Sequence, residues 1–279
     1  MPGYIDAHSH VWTPDVAKYL LARSFTVDQM NPRSFTAEEL LDVCRPSGVY
    51  RVNLIQMSYY EFDNSYMLDM IAKYPDRFVG TAIVDPLGAD PDKAMRDLRP
   101  KGVRAFRIQP HYSRQGLATW LEPEGYKAMF AESERSMLAL SCLIDPEGLG
   151  EVDRMCRAYP SAPVVIDHLA RIGVDGQIRD THVQALCDLA QHPRVYVKVG
   201  AFYALGKKTP PYLDLAPLIR RVLHAFGSRR LMWESDCPFQ VVDHTYEDSI
   251  ALVRDRLDFL SEDDRRWLLA RTAERLLFS

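Results

Sequence analysis

PVVIDHLARIGVDGQIRDTHVQALCDLAQHPRVYVKVG, residues Pro163 to Gly200, is the stretch that decides the fold. It opens on an apolar, β-branched run (Pro163–His168) and passes through a glycine-containing turn. From Thr181 it takes up apolar spacing near 3.6, and it ends in a second β-rich run (Val195–Gly200). Both runs are nearly continuously apolar instead of alternating, the pattern of strands covered on both faces.

The same unit recurs along the chain. Further β-rich runs lie at Tyr4–His8, Arg51–Gln56, Phe78–Val84, Val103–Ile108, Leu138–Ile144 and Leu231–Asp236, with helical patterns such as NSYMLDMIAKYP, GYKAMFAESERSM and LDLAPLIRRVLHAFG between them. Thr36, Asn64 and Thr181 stand where helix caps belong. Eight runs alternating with helices predict a (β/α)8 TIM barrel, an α/β fold formed as one domain over residues 1–279 with no linker. A doubly wound sheet needs no eighth strand and usually carries a Gly-rich phosphate turn; neither GxGxxG nor a P-loop occurs. The long segment Val11–Phe35 follows the first strand and is expected as a loop over the barrel mouth, a lid or substrate wall. The last stretch, SEDDRRWLLARTAERLLFS, is expected as a C-terminal helix on the outside.

Composition narrows the class. The chain has 279 residues, 47% apolar and 26% charged, the make-up of an ordinary globular protein with a sizeable core. Lys plus Arg number 34 against 38 Asp plus Glu, a balance of −4 that argues against a nucleic-acid partner. No apolar run reaches the roughly 18 residues that span a bilayer. The N-terminus lacks the basic-then-apolar layout of a secretory signal. Five scattered cysteines without a CxxC pair read as reduced thiols, so a cytoplasmic protein is expected.

The unusual polar residues fall at one place on that frame. His8 and His10 are two apart and share a face at the C-terminal end of the first strand, where barrel enzymes build their sites. His168 ends the sixth run and Asp236 the eighth. Three imidazoles and a carboxylate at one mouth suit a divalent ion such as zinc with a position left for water. A carboxylate at the end of the last strand can take a proton from water and pass it to a leaving oxygen. A single strand-end histidine is usually a hydrogen-bonded rim residue; four such groups on three strands have no structural reason to converge.

Around them, Arg107 shares parity with Gln109 and His111 and is the candidate clamp for a substrate carboxylate, against the plainer reading of a buried ion pair. Arg104 has the opposite parity. Arg171 is placed to reach the mouth, although a solvated loop arginine is the plainer reading. Gln56, Tyr59 and Tyr60 follow the second strand as candidate hydrogen-bonding groups, and His111 is a candidate substrate contact. Glu234 shares parity with Asp236 one layer deeper, and Lys198 on the seventh strand is its expected partner. Trp12 and Trp120 are candidate pocket residues.

IDAHSHVW (5–12), IDH (166–168) and WESDCP (233–238) resemble the amidohydrolase superfamily, more narrowly its amidohydrolase-2 family. NLIQMSYYEFDNSYMLDMIAKYPDRFVGTAIVDP (53–86) and TAERLLF (272–278) are similar to the lactonase-like branch. The resemblance implies a distorted barrel that hydrolyses esters, lactones or amides, or in one branch decarboxylates aromatic acids. It implies His8, His10, His168 and Asp236 as the metal or catalytic set, with His168 and Asp236 catalytic. The bridging Lys or Glu of a binuclear centre is missing after the fourth run, where QPH (109–111) stands, and the fifth run carries Cys142 in place of a histidine. One divalent ion, zinc or else manganese, is therefore expected. Some lactonases of this branch work without metal, and that route stays open. The expected reaction is hydrolysis of a small carboxylated lactone, from a sugar acid or an aromatic breakdown product. Asp236 would activate water and protonate the leaving alkoxide, and Arg107 and Arg171 would fix the carboxylate. A metal-dependent nonoxidative decarboxylase, favoured if His111 reaches the metal, and a non-catalytic binding barrel are the alternatives. The expected partner is a small molecule, with self-association left open.

Overall fold

The computed structural model describes residues 3–279. Eight parallel strands follow one another around a single sheet: β1 (Tyr4–Ser9), β2 (Val49–Ile55), β3 (Phe78–Ala82), β4 (Val103–Ile108), β5 (Ala139–Cys142), β6 (Val164–Ile166), β7 (Val195–Gly200) and β8 (Leu231–Glu234). A helix fills each crossover: α1 (Ala37–Cys44), α2 (Ser65–Lys73), α3 (Pro91–Leu98), α4 (Glu124–Ser136), α5 (Leu149–Ala158), α6 (Asp180–Asp188) and α7 (Ala216–Phe226). Strand order equals sequence order, so the predicted (β/α)8 barrel is the observed fold. Thr36 caps α1 in a capping box with Glu39. Asn64 does something else: its amide exchanges two hydrogen bonds with the backbone of Ile83, tying the start of α2 to the end of β3.

Apolar side chains between strands and helices make the main core. Inside the barrel the floor is apolar, built from Ile5, Ala7, Val79, Ala105, Ala139, Val165, Tyr196 and Met232. Ala273 and Leu277 of the last helical run (Thr272–Leu277) pack into that floor cluster, so the terminal helix plugs the bottom as well as lying outside. Two residues further along five of these strands, on the same face, stand Arg107, Ser141, Asp167, Lys198 and Glu234, all buried. The interior therefore changes from apolar to charged within one layer.

The sheet closes on itself only at its upper end. β1 and β8 share no continuous ladder; Asp236 N–H donates to His8 C=O (2.9 Å) and His10 N–H to Cys237 C=O (2.7 Å). Beneath these bonds the wholly buried Asp6 carboxylate accepts five more. They come from the backbone N–H of His8 and Ser235 (both 3.0 Å), the hydroxyls of Ser9 (2.8 Å) and Ser235 (2.5 Å), and Tyr246 (2.6 Å). Burial raises its pKa, against the opposing pull of Ser235 and Tyr246.

The Val11–Phe35 segment is pinned to the barrel at its base. Trp12 and Phe35 pair through two backbone hydrogen bonds, closing the segment at its base. Trp12 Nε1–H donates to Pro32 C=O (2.8 Å), and the buried indole packs on Phe35, Tyr59 and Phe239. Trp120 is likewise buried against Tyr126 and not in a pocket. Among the described residues no helix is long and apolar enough to cross a membrane, and all five cysteines are free thiols.

Replacing Asp6 by Ala leaves five donors without their acceptor at the seam. The expected loss is about 3–5 kcal/mol of stability. Calorimetry should show a fall in Tm on the order of 10 °C. Tyr246→Phe, which removes one of the five bonds, should cost about 1–2 kcal/mol.

Candidate active site

Local backbone geometry brings the four strand-end residues together. A register shift between Asp6 and Ser9 turns the end of β1 so that both imidazoles enter the barrel. Asp236 sits just past β8 with φ +58°, a left-handed conformation that Asp tolerates better than most residues. After β6 the chain makes a left-handed turn in which His168, Leu169, Ala170 and Arg171 all have φ between +52° and +56°. Four consecutive non-glycine residues in that region carry strain of about 1–2 kcal/mol each. The turn sets His168 at one end and Arg171 at the other.

His8 Nε2, His10 Nε2 and Asp236 Oδ1 form a tight triangle with sides of 3.1, 3.4 and 3.5 Å. His168 stands at its edge, Nε2 4.0 Å from Asp236 Oδ2. Each histidine is held from behind. His10 Nδ1 lies 3.0 Å from Ile55 C=O, which fixes its tautomer with Nε2 bare toward the triangle. Glu234 Oε1 is 2.7 Å from His168 Nδ1 and accepts the His168 backbone N–H, while its Oε2 lies 3.1 Å from His8 Nδ1 without a hydrogen bond. Gly200 on β7 makes room for this carboxylate, because a Cβ there would stand 2.2 Å from Glu234 Cγ and 2.1 Å from its carbonyl oxygen.

Lys198 does not pair with Glu234. Its ammonium lies 2.9 Å from Asp167 Oδ1, with Ser141 Oγ and His8 Nδ1 at 3.2 and 3.1 Å. Parity placed both residues on the inner face, but the pairing was decided by Asp167, which lies in the same layer on the other flank of β7. Burial opposes ionisation of Asp167, but Lys198 and Arg107 hold its pKa down at about 2.

The charge states follow from these neighbours. Burial opposes ionisation of Asp236, yet His168, His10 and Tyr203 together keep its pKa well below the usual carboxylate range. Burial depresses His10, and burial with the nearby Lys198 depresses His8 further, so both are neutral and can act as ligands. Burial also pulls on His168, but Glu234 and Asp236 outweigh it and raise its pKa.

The fit to a metal ion rests on one orphan. Asp236 Oδ1 is buried and accepts no hydrogen bond. It shares its triangle with two histidine nitrogens at separations close to the roughly 3.3 Å between neighbouring ligands of a tetrahedral zinc site. The residues present fit a divalent ion held by His8, His10 and Asp236; His168, the expected fourth ligand, is not part of this group.

A cavity of about 430 Å³ opens above this cluster. His10, His168 and Asp236 form its reactive side, Arg107 and Arg171 bring positive charge, and Phe239 and Leu143 contribute apolar wall. Tyr203, from the loop after β7, lines it too and donates its hydroxyl to Asp236 Oδ2 (2.7 Å). No sequence pattern marked Tyr203.

Three expected contacts lie elsewhere. The Gln56 amide is spent on the carbonyls of Glu61 and Asp63. The Tyr59 hydroxyl donates to Gln29 C=O and accepts from Asn31 N–H, pinning the Val11–Phe35 segment. His111 is exposed beside Tyr112. None of them lines the cavity, and neither does Tyr60, whose hydroxyl accepts from Thr13 N–H.

An eight-stranded barrel with paired histidines at the end of β1, a third after β6 and an aspartate after β8 is the layout of a barrel hydrolase. The chain belongs to the amidohydrolase family, whose model matches residues 5–278. Its relatives include the L-fucono-1,5-lactonase of Burkholderia ambifaria, 29% identical over 241 residues that cover 84% of this chain and 80% of that one. The 4-sulfomuconolactone hydrolase of Rhizobium radiobacter is 26% identical over 239 residues, 85% of this chain and 76% of that one. A zinc-bound amidohydrolase from Burkholderia multivorans superposes with a TM-score of 0.82 at 18% identity, covering 99% of both chains. These relatives make the chain a hydrolase.

Gly200→Ala should force Glu234 off His168. With backbone on the other side of the clash, the expected cost is about 2–3 kcal/mol, read by urea denaturation.

Proposed function

We propose that the enzyme opens a small lactone bearing a carboxylate. The observation that carries this reading is the pair of arginines, Arg107 and Arg171, that line one cavity together with Asp236, His10 and His168. Arginine offers planar donors matched to a carboxylate, and its charge holds an anionic ring in register with the reactive groups. The named lactonases among the relatives point the same way: both L-fucono-1,5-lactone and 4-sulfomuconolactone are lactones, and the second carries an anionic group.

In this reading His8, His10 and Asp236 hold one divalent ion, zinc by donor type. Such an ion supplies Lewis-acid polarisation of the scissile carbonyl and acidifies water. Asp236 stays ionised and takes the proton of the attacking water. As the ring opens it returns that proton to the leaving alkoxide. Oδ1 of this carboxylate is the atom that would face the ion, and Oδ2, which accepts from the Tyr203 hydroxyl, is the oxygen left to carry the proton. His168, kept basic by Glu234, presents Nε2 to the cavity, where it can donate to the carbonyl oxygen as negative charge develops. The decarboxylase alternative called on His111, which lies outside the cavity.

Elemental analysis of protein purified without chelator should find about one zinc or manganese per chain, absent from a His8→Ala/His10→Ala variant. Absence from the wild type after reconstitution would remove the ion and leave the residues acting alone. On a panel of carboxylated lactones, Asp236→Asn should lower kcat by about 10²–10⁴-fold. Arg107→Gln should act mainly on KM, raising it about 10- to 100-fold. Failure to open any lactone in the panel would sink the reading.

A further inference from the structure

The two cavity arginines are held very differently. Arg107 is walled in: only 9% of its side chain is exposed, and its Nε stands 3.7 Å from Asp167 Oδ2, a carboxylate already committed to Lys198. Arg171 is about two-fifths exposed, and its Nη1 lies 3.0 Å from Oδ1 of Asp145, which is exposed to the same degree. The contact is close but poorly aligned, so the buried Asp145 Oδ1 accepts no hydrogen bond. Asp145 comes from the loop after β5 and does not line the cavity, whereas Arg171 does. A half-exposed, misaligned ion pair contributes little stability and is readily exchanged.

We propose that Asp145 is a built-in competitor for the substrate's carboxylate, and that the Arg171–Asp145 pair sets selectivity for anionic over neutral lactones. This rests on the reading of the site given above. Without substrate, Arg171 leans on Asp145. A carboxylate entering the cavity offers the guanidinium a better-aligned, bidentate partner and takes it over. Arg171 is the last residue of the left-handed turn that begins at His168, and the exchange needs only its side chain to move. Arg107 remains the fixed anchor and Arg171 the adjustable one.

Two readouts test this in the wild type, Asp145→Asn, Arg171→Gln and the double variant. One is calorimetric binding of glutarate, a small dicarboxylate that cannot be hydrolysed. The other is the ratio of kcat/KM for a carboxylated lactone to that for its neutral counterpart. Asp145→Asn should tighten glutarate binding about two- to fivefold and raise the selectivity ratio by a similar factor. Both changes should vanish in the Arg171→Gln background. Unchanged or weakened glutarate binding in Asp145→Asn, persistence of the effect without Arg171, or no glutarate binding to either protein would overturn the proposal. Glutarate binding that depends on Asp145, in a protein that opens no lactone, would overturn the proposed function and leave the competitor role standing.

Discussion

The seam between β1 and β8 is the constraint on which the rest of the molecule depends. Every other neighbouring pair of strands is joined by a ladder, but here the first and last strands meet through two backbone hydrogen bonds and the buried Asp6 carboxylate. The residues that make the closing bonds include His8, His10 and Asp236. Closing the barrel and assembling the triangle of ligand atoms are therefore one event. A carboxylate suits this seam better than an apolar residue because three hydroxyl and two amide donors converge there, and each would otherwise be buried unpaired.

Above the apolar floor the interior holds a dense set of opposed charges. Glu234 steadies the His168 imidazole, Asp167 separates Lys198 from Arg107, and Tyr203 secures one oxygen of Asp236. Burying so many ionised groups is costly, and they are not there for stability alone. Their effect is to hold Asp236 Oδ1 and the Nε2 atoms of His8 and His10 together as one group, with His168 beside them at the cavity. Preorganised groups of this kind need little rearrangement when charge develops on a substrate.

Much of this was legible in the sequence, for identifiable reasons. The strand–helix alternation named the barrel, and the ends of runs one, six and eight placed His8, His10, His168 and Asp236 at one mouth. Two-residue parity put Arg107 inside. Parity fixes the face but neither the height nor the partner, so it allows Lys198 to meet Glu234 whereas Asp167 takes it. Gln56 and Tyr59 show a second limit: a polar residue just past a strand can turn to substrate or back to loop carbonyls, and backbone geometry decides which. Tyr203 and Asp145 sit on loops after β7 and β5, where no periodicity exists to read. Asp6 stands in the sequence only as part of IDAHSH; its role depends on Ser235 and Tyr246, more than 200 residues away.

That separation shapes how the protein folds. The hydroxyls of Ser9 and Ser235 meet across 226 residues of chain, and Tyr246 reaches Asp6 across 240. Loop-closure entropy makes such contacts the dearest to form early, while neighbouring strand pairs are local and cheap. Successive β/α units can assemble as they emerge, but the seam must wait for β8. A nascent chain, or one cut before β8, thus has most of a barrel and both β1 histidines but lacks Asp236, so the ligand triangle is incomplete until the last strand has docked.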